Sequence, residues 1–379
     1  MIYADYNATT PLGDDARLAM TAAFEVWGNP SSAHQVGRRA NQLLGESREK
    51  VAKAAGVGRD QVVFTSGGSE ANTLALMGSV FAQPRPFRLV TSDIEHSSVR
   101  DTAKWLQKEG VSVLSLSITR QGQLDLSQLK QILESAEPSL VSIMAANNET
   151  GVILPVPEIA ALCKAFGVAL HVDAVQTFGK LSPQFWNSAD YVSISSHKIY
   201  GPKGVGALLL PTGKTLTPTH FGGAQEIKRR GGTENFLGIV GFAAACAALA
   251  PIESLSVVTA LRDHFEERLL SEIEEVTIQG AESPRLPNTS NIRFCGISSE
   301  ILLSAFDLDG LCVSAGSACS SGSISPSHVL LAMGLNPVEA KECLRFSWGK
   351  GTTPEQVDSA ADIVIEHVKR IRARRKSSS

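Results

Sequence analysis

The sequence has no excess of one charge and no long apolar run. Its 379 residues carry 35 basic and 38 acidic side chains, a formal net charge of −3, so no global basic field is available to bind nucleic acid by counterion release. No window of about 18 residues is free of polar breaks, and Met1 leads directly into Ile2-Tyr3-Ala4-Asp5 without a basic and then apolar leader. We therefore expect a cytoplasmic protein that binds neither membranes nor nucleic acid.

Cysteines are few as well, six in all, and none belongs to a Cys-x-x-Cys pair. This spacing indicates neither a zinc site nor a disulfide framework, so we expect reduced thiols and no metal centre. Cys163 and Cys246 fall in apolar helical patterns typical of buried, inert thiols. Cys295, Cys312 and Cys343 lie in strand-like runs. The sixth, Cys319, lies in a different kind of segment.

Short apolar runs alternate with helical patterns from about residue 60. Five runs are predicted as buried strands, namely Val62–Thr65, Arg88–Thr91, Leu140–Met144, Val168–Val172 and Tyr191–Ser195. Two of the segments between them, Ala71–Phe81 and Pro157–Phe166, are predicted as helices. Such alternation is typical of βα units on a mostly parallel sheet, which binds ligands beyond the carboxyl ends of its strands.

The pattern changes near Ala250-Pro251. A long helical pattern over Leu255–Val276 is followed by strand-like, Gly/Ser-rich and helical segments, which predict a smaller α+β unit. The last helix ends in basic residues, which are Lys369, Arg370, Arg372, Arg374, Arg375 and Lys376. We interpret them as a solvated helix end favoured by the macrodipole, with docking of an acidic partner as the alternative.

The most informative segment follows a buried strand and spans Ser195–Gly204. An ammonium just past such a strand is partly desolvated, which lowers its pKa and makes it a nucleophile that holds an aldehyde as a Schiff base. Lys198 has this position, although alone it is equally well explained as a surface lysine in a turn. Other residues decide between these readings.

Asp173 ends an earlier strand, where an acid serves a protonated pyridine nitrogen or, alternatively, caps the next helix. The turn Thr65–Glu70 joins a strand to a helix, and its glycines and free N–H groups suit a phosphate. Lysine, acid and phosphate turn in this combination predict a site for pyridoxal phosphate.

Several motifs together resemble the cysteine desulfurases of the NifS/IscS type, which are class-V aminotransferase-like enzymes of pyridoxal-phosphate fold type I. The matches extend from residue 3 to about 350, nearly the whole chain. They are Tyr3–Pro11, Gly28–His34, Phe64–Gly67, Asn147–Gly151, His171–Ala174 and Ser196–Gly204.

This resemblance implies an α/β fold, with a mostly parallel seven-stranded sheet flanked by helices in a large domain and a smaller α+β domain. We expect the large, cofactor-binding domain at 13–252 and the small domain at 1–12 with 253–379, carrying a nucleophile loop at about 314–327. The resemblance also implies a homodimer that converts L-cysteine into L-alanine. The sulfur would pass as a persulfide to an acceptor protein, an iron–sulfur scaffold or a tRNA-thiolation enzyme.

Residue roles follow from the same resemblance. Lys198 matches the Schiff-base lysine, Asp173 the partner of the pyridine nitrogen and Gln176 the donor to the phenolic oxygen. Asn148 is expected beside the ring, near the substrate carboxylate. The expected phosphate contacts are Gly68, Ser69, Ser195 and His197, with Thr233 from the other subunit.

Three further residues complete the expected site. His96 matches the histidine that stacks on the cofactor ring and helps to move protons, although a lone histidine is often structural. Arg345 matches the arginine whose guanidinium fork binds the substrate carboxylate. Cys319 lies among the small residues of Ser314–Ser323, which predict an exposed, mobile loop suited to a nucleophile. We predict that the Cys319 thiolate takes the sulfur as a persulfide.

The chain departs from the family pattern at three places. Ser69 stands where threonine is usual, and Gly223–Ile227 reads Gly-Ala-Gln-Glu-Ile in place of Gly-Gly-His-Glu-Arg. The sequence also ends soon after Lys376, without the extension with which many relatives engage their scaffold protein.

Other functions are compatible with the same scaffold. Selenocysteine lyase activity and plain aminotransfer are enzymatic alternatives, and a catalytically idle regulatory homologue is a non-enzymatic one. The Cys319 loop argues against plain aminotransfer. Retention of Lys198, Asp173, His96 and Arg345 together with Cys319 argues against an idle homologue.

Overall fold

Strands and helices alternate through the computed structural model, which describes residues 1–83, 86–136, 138–315 and 325–376. The strands of these ranges are β1 (Ile2–Tyr3), β2 (Val62–Thr65), β3 (Arg88–Ser92), β4 (Ser112–Leu116), β5 (Leu140–Met144), β6 (Ala169–Asp173), β7 (Tyr191–Ser195), β8 (Gly206–Leu209), β9 (Val276–Ile278), β10 (Thr289–Phe294), β11 (Leu311–Cys312) and β12 (Cys343–Ser347).

The α-helices of the same ranges are α1 (Asp14–Ala23), α2 (Gln35–Ala55), α3 (Gly68–Ala82), α4 (Ser97–Lys108), α5 (Leu126–Ala136), α6 (Val156–Ala165), α7 (Phe236–Ala247), α8 (Ser256–Glu272), α9 (Ser299–Leu308), α10 (His328–Ala332), α11 (Pro337–Ala340) and α12 (Pro354–Lys376). The five strands expected from apolar runs all form, to within a residue at either end.

A seven-stranded sheet lies at the centre of the larger core, in the order β2-β8-β7-β6-β5-β3-β4. The five strands from β3 to β7 pair in parallel. Strand β8 is antiparallel to both of its neighbours, β2 and β7. The expected mostly parallel seven-stranded sheet is therefore confirmed. The strands β4 and β8 were not predicted, because β4 is a half-exposed edge strand with alternating serines and β8 is short.

The sheet brings several chain segments to one edge. Residue Asp173 at the end of β6 is in register with Met144 of β5 and Ser193 of β7. Because β2 and β7 are both antiparallel to β8, which lies between them, they run in the same direction. The turn before α3, the end of β6 and the turn Ser196–Lys198 after β7 consequently share the carboxyl edge.

A second hydrophobic core lies around the antiparallel sheet β12-β10-β9 and the helices α8, α9 and α12. Strand β1 pairs in parallel with β11, and Ala4 is buried in this core. The first residues thus pack with the last third of the chain. Val329 and Leu330 of α10 pack instead into the core of the large sheet. The domain boundaries at 13–252 and at 1–12 with 253–379 stay a prediction.

Within the described residues, no single helix is long and apolar enough to cross a membrane. The helical segments Phe236–Ala247 and Ile252–Glu272 reach that length and composition only when taken together, across a bend of 85°.

Candidate active site

Lys198 lies in the turn that follows β7, with its ε-amino group directed at the N-terminal segment. Its Nζ donates to the carbonyl oxygens of Asn7, at 2.5 Å, and Ala8, at 2.8 Å. Burial and the positive charges of Arg345 and Lys180 lower the pKa of Lys198 to about 7. A large fraction of this amine is therefore uncharged near neutral pH, as a nucleophile or base requires.

Asp173 is buried at the carboxyl end of β6. Its Oδ1 accepts the N–H of Val175 at 3.0 Å, and its Oδ2 accepts Nδ2 of Asn72 at 2.7 Å. These two donors hold the carboxylate at the sheet edge that also carries Lys198.

The turn between β2 and α3 is closely packed against the segment after Asp173. A Cβ atom at Gly68 would lie only 2.6 Å from Cγ2 of Val175, so the chain requires glycine there. Gly68 is the first residue of α3, and Ser69 is exposed beside it. The free N–H groups of this helix start favour an anion.

Three more expected cofactor contacts lie on or after the strands β6 and β7. Gln176 donates from Nε2 to the carbonyl of Asn7 at 3.0 Å, while its buried Oε1 has no partner among the described residues. The buried Oγ of Ser195 is likewise unpartnered within them. His197 lies with Nδ1 3.2 Å from Oγ1 of Thr9, and burial, then Lys198 and Lys203, lowers its pKa to about 4.

Arg345 reaches the same site from β12 of the second core. Its Nη1 donates to the carbonyl of Asn148 at 2.9 Å, and its Nη2 donates to Oδ1 of Asp5 at 2.7 Å. The same Asn148 carbonyl accepts Nδ2 of Asn7 at 3.1 Å. The guanidinium is buried, and its Nε has no partner in the described part of the chain.

Sequence reasoning missed Asp5 and Asn7 as site residues. Asp5 pairs with Arg345, and the backbone of Asn7 receives both Lys198 and Gln176. Both residues stand in the first motif of the resemblance, Tyr3–Pro11, and that motif was the available signal.

Two other expected residues lie beside this group. Thr233 is exposed and lines a pocket of about 130 Å³ with Thr65 and Ser66 of the turn before α3. His96 is exposed at the start of α4, where its side chain caps the helix, and hydrogen bonds through Ser98 and Asn72 connect it to Asp173. Cys319 falls outside the described residues, as does most of the expected nucleophile loop. Cys163 and Cys246 are buried in α6 and α7, as expected.

Comparison with known proteins gives the chain a family. Residues 2–359 match the Aminotransferase class-V family. A cysteine desulfurase of Nostoc sp. is 42% identical over 377 residues, 98% of this chain and 94% of that protein. The cysteine desulfurase NifS of Azotobacter vinelandii is 39% identical, over 94% of this chain and 90% of that protein.

Solved structures agree with these relatives. A NifS-like protein superposes with a TM-score of 0.89 at 34% identity, covering 97% of this chain and 99% of its own. A NifS-like protein from Rickettsia africae gives a TM-score of 0.87 at 32% identity, covering 98% and 99%. Likeness of this extent, in sequence and in fold, shows that the chain belongs to the class-V aminotransferase family and, within it, to the cysteine desulfurases.

Proposed function

We propose that this protein is a cysteine desulfurase that uses pyridoxal phosphate to convert L-cysteine and an acceptor thiol into L-alanine and a persulfide. The observation that carries the proposal is the convergence of Lys198, Asp173 and Arg345, from two cores, on one site. Their chemistry is that of a Schiff-base lysine, a pyridinium partner and a carboxylate receptor.

An unpartnered polar atom of the site supports the cofactor. Buried groups without a hydrogen bond are costly, and the Oγ of Ser195, an expected phosphate contact, is such a group at the carboxyl edge. Gly68 leaves backbone exposed at the start of α3, where a side chain would collide with Val175. These features fit a phosphorylated ring, the cofactor that the resemblance to the NifS/IscS type implies.

Each residue would then hold a particular group. The phosphate would contact Gly68, Ser69, Ser195 and His197, with Thr233 from a second subunit. Asp173 would bind the ring nitrogen, Gln176 the phenolic oxygen and Lys198 the aldehyde carbon, with Asn148 beside the ring. When bound, the cofactor supplies an electron sink for the negative charge that develops at the substrate Cα.

The chain's own residues perform the remaining steps. Arg345 binds the substrate carboxylate with its fork, in exchange for Asp5. Lys198, uncharged in part near pH 7, removes the proton from Cα. The Cys319 thiolate attacks the substrate sulfur, so that an S–S bond forms while the Cβ–S bond breaks and its electron pair stays with the carbon. A proton from solvent goes to Cβ and Lys198 returns a proton to Cα, which gives alanine, and Cys319 keeps the sulfur as a persulfide.

The reaction is tested with purified protein, pyridoxal phosphate and L-cysteine. We expect equal amounts of alanine and of sulfide released by a reductant, and peptide mass spectrometry should locate the persulfide on Cys319. Cys319→Ala should abolish sulfide transfer, whereas Cys312→Ala, in β11, should retain it. A persulfide on another cysteine, or no alanine from the wild type, would contradict the proposal.

The wider setting belongs to the same proposal. The protein would act in the cytoplasm as a homodimer and pass its sulfur to an iron–sulfur scaffold or to a tRNA-thiolation enzyme. Similarity to cysteine desulfurases named NifS and IscS supports a role in supplying sulfur. Transfer of labelled sulfur from Cys319 to each class of acceptor would distinguish the two destinations.

A further inference from the structure

A chain of hydrogen bonds joins Asp173 to His96 through two residues that the proposed reaction does not use. Asn72 in α3 is buried, and its Nδ2 donates to Oδ2 of Asp173 at 2.7 Å and to Oγ of Ser98 at 2.9 Å. The Ser98 hydroxyl in turn lies 2.8 Å from Nδ1 of His96. We call this chain the Asn72–Ser98 relay.

The direction of each hydrogen bond in the relay is fixed by chemistry. An ionised carboxylate only accepts, so the amide of Asn72 must present its NH₂ group to Asp173. The second hydrogen of that NH₂ group goes to Oγ of Ser98. The hydroxyl, having accepted at its oxygen, is then free to donate its own hydrogen to Nδ1 of His96.

The backbone supplies an independent constraint on the same ring atom. His96 is the N-cap of α4, and its Nδ1 accepts the backbone N–H of Ser98 at 3.2 Å. A backbone N–H can only donate. Both donors of Ser98 therefore require a bare Nδ1, and the neutral ring carries its hydrogen on Nε2.

The amide of Asn72 has no other evident purpose in the packing. Its Oδ1 is buried without a hydrogen-bond partner in the described part of the chain, which an apolar residue would avoid. The contact between α3 and α4 has a separate polar pair next to it, Thr73 Oγ1 and Thr102 Oγ1 at 3.3 Å. The two hydrogen bonds donated by Nδ2 are what the asparagine adds.

We propose that Asn72 is a positioning residue that holds the Asp173 carboxylate and, through Ser98, fixes His96 in the tautomer with hydrogen on Nε2. In that tautomer the bare nitrogen, Nδ1, is occupied by Ser98, and Nε2 is a hydrogen-bond donor, so His96 presents no acceptor nitrogen outside the relay. The assignment of Asp173 and His96 to the cofactor rests on the proposed function, whereas the relay belongs to the chain itself.

The tautomer of His96 can be measured without any variant. Long-range ¹H–¹⁵N spectra of the histidine-labelled protein, with and without pyridoxal phosphate, report which ring nitrogen carries hydrogen, and His96→Gln identifies the signal by its loss. We expect hydrogen on Nε2 in both forms. Hydrogen on Nδ1 in the wild type would overturn the inference and leave the proposed function untouched.

Three variants separate the two arms of the relay. Asn72→Leu removes both, Ser98→Ala removes the hydroxyl donor to His96, and Thr73→Val is the matched control at the same helix contact. By equilibrium dialysis with the apoprotein, Asn72→Leu should bind pyridoxal phosphate about tenfold more weakly, since it removes a hydrogen bond to a charged group. Ser98→Ala and Thr73→Val should bind it like the wild type.

The His96 spectrum completes the comparison. Ser98→Ala removes the shorter of the two donors to Nδ1 and leaves only the backbone N–H, at 3.2 Å. It should therefore raise the fraction of the Nδ1–H form, and Thr73→Val should not. Wild-type affinity in Asn72→Leu, or an unchanged spectrum in Ser98→Ala, would overturn the inference. Failure of the wild type itself to bind pyridoxal phosphate would overturn the proposed function. If Asn72→Leu does not fold, the tautomer of His96 in the wild-type protein still tests the inference.

Discussion

Arg345, the expected receptor of the substrate carboxylate, has a carboxylate partner within the chain. Its Nη2 binds Asp5, which is only partly buried. A substrate carboxylate carries the same charge as Asp5 and competes with it for one arm of the guanidinium fork. Asp5 also raises the pKa of Lys198, against the larger lowering effect of burial. One carboxylate thus acts on both reactive groups.

Replacing Asp5 by asparagine removes this competing charge with little change of shape. We expect Asp5→Asn to bind L-alanine up to about fivefold more tightly, since a partly exposed ion pair contributes up to about 1 kcal/mol. The pKa of Lys198 should fall at the same time, because a group that raises it is gone. Alanine titration and the pH dependence of Lys198 acetylation in the apoprotein measure the two effects.

Asp14→Asn is the control for this prediction. Asp14 is exposed and pairs with Arg17 of the same helix, α1, so both quantities should stay at their wild-type values. Weaker alanine binding in Asp5→Asn would show that Asp5 holds Arg345 in place and does not compete with the substrate.

At the scale of the elements, one buried histidine joins the three central strands of the large sheet. His171 in β6 lies with Nδ1 2.8 Å from Ser142 Oγ of β5 and with Nε2 3.0 Å from Ser193 Oγ of β7. Burial lowers the pKa of His171 to about 3. The ring is therefore neutral in the folded protein, where it offers one donor and one acceptor to the two hydroxyls.

This histidine makes stability depend on pH. Between about pH 6.5 and pH 3 the unfolded chain binds a proton at His171 that the folded chain does not, so stability falls as the pH falls. From pH 7 to pH 5 the loss is about 2 kcal/mol. His171→Gln should remove this part of the loss, as measured by urea unfolding at both pH values. His264→Gln, at an exposed position of α8, should keep it, and an unchanged loss in His171→Gln would refute the assignment.

The loop between β8 and α7 holds three successive residues in the left-handed region, at φ 44° for Glu226, 58° for Ile227 and 62° for Lys228. Glu226 is fixed there by a buried two-point ion pair with Arg48 and by the N–H of Phe64 at 2.8 Å. Ile227 has no such compensation and is 58% exposed. A β-branched residue is strained in this conformation.

Glycine removes that strain. We expect Ile227→Gly to raise the free energy of unfolding by about 1 kcal/mol, because little apolar contact is lost and the left-handed backbone is free for glycine. Val338→Gly, at an exposed position of α11 with helical backbone, should instead lower it. Thermal and urea unfolding compare the two, and a destabilised Ile227→Gly protein would contradict the prediction.

At the scale of the whole molecule, large apolar side chains are exposed on α1 and just after it. Leu18, Phe24 and Trp27 are 67%, 66% and 79% exposed. Contiguous exposed apolar groups favour contact with another protein, and we predict that these three side chains lie in such a contact. The proposed homodimer offers a partner surface for them.

We expect a dimer in solution that Trp27→Glu or Phe24→Glu converts into monomers, because a charge cannot be buried unpaired in an apolar interface. Size-exclusion chromatography with light scattering measures the mass. Leu308→Glu is the control. Leu308 is 86% exposed at the end of α9, a helix that packs on the second hydrophobic core. A monomeric wild type, or dimers in both interface variants, would contradict the expectation.

Much of this architecture was predictable because local pattern and global fold agree. The strands β2, β5 and β7 are short, fully buried runs in which apolar residues predominate, and the parallel pairing of β6 with β7 brings Asp173 and Lys198 to one edge. Strand β4 was not predicted, because Ser112–Leu116 mixes serines with half-exposed apolar residues. Its pairing with β3 makes this segment a strand. The pairing of β1 with β11 joins chain ends that no local pattern connects.

The sequence by itself determined the kinds of groups in the site, the order of strands and helices, and the family, since each depends on residue type and local spacing. Only the tertiary structure decided which groups meet. The partner of Arg345 is Asp5, distant along the chain, burial lowers the pKa of Lys198 to about 7, and Asn72 joins Asp173 to His96 through Ser98. Distance and burial are properties of the folded chain. They set the charge of Lys198, the tautomer of His96 and the competition between Asp5 and the substrate for Arg345.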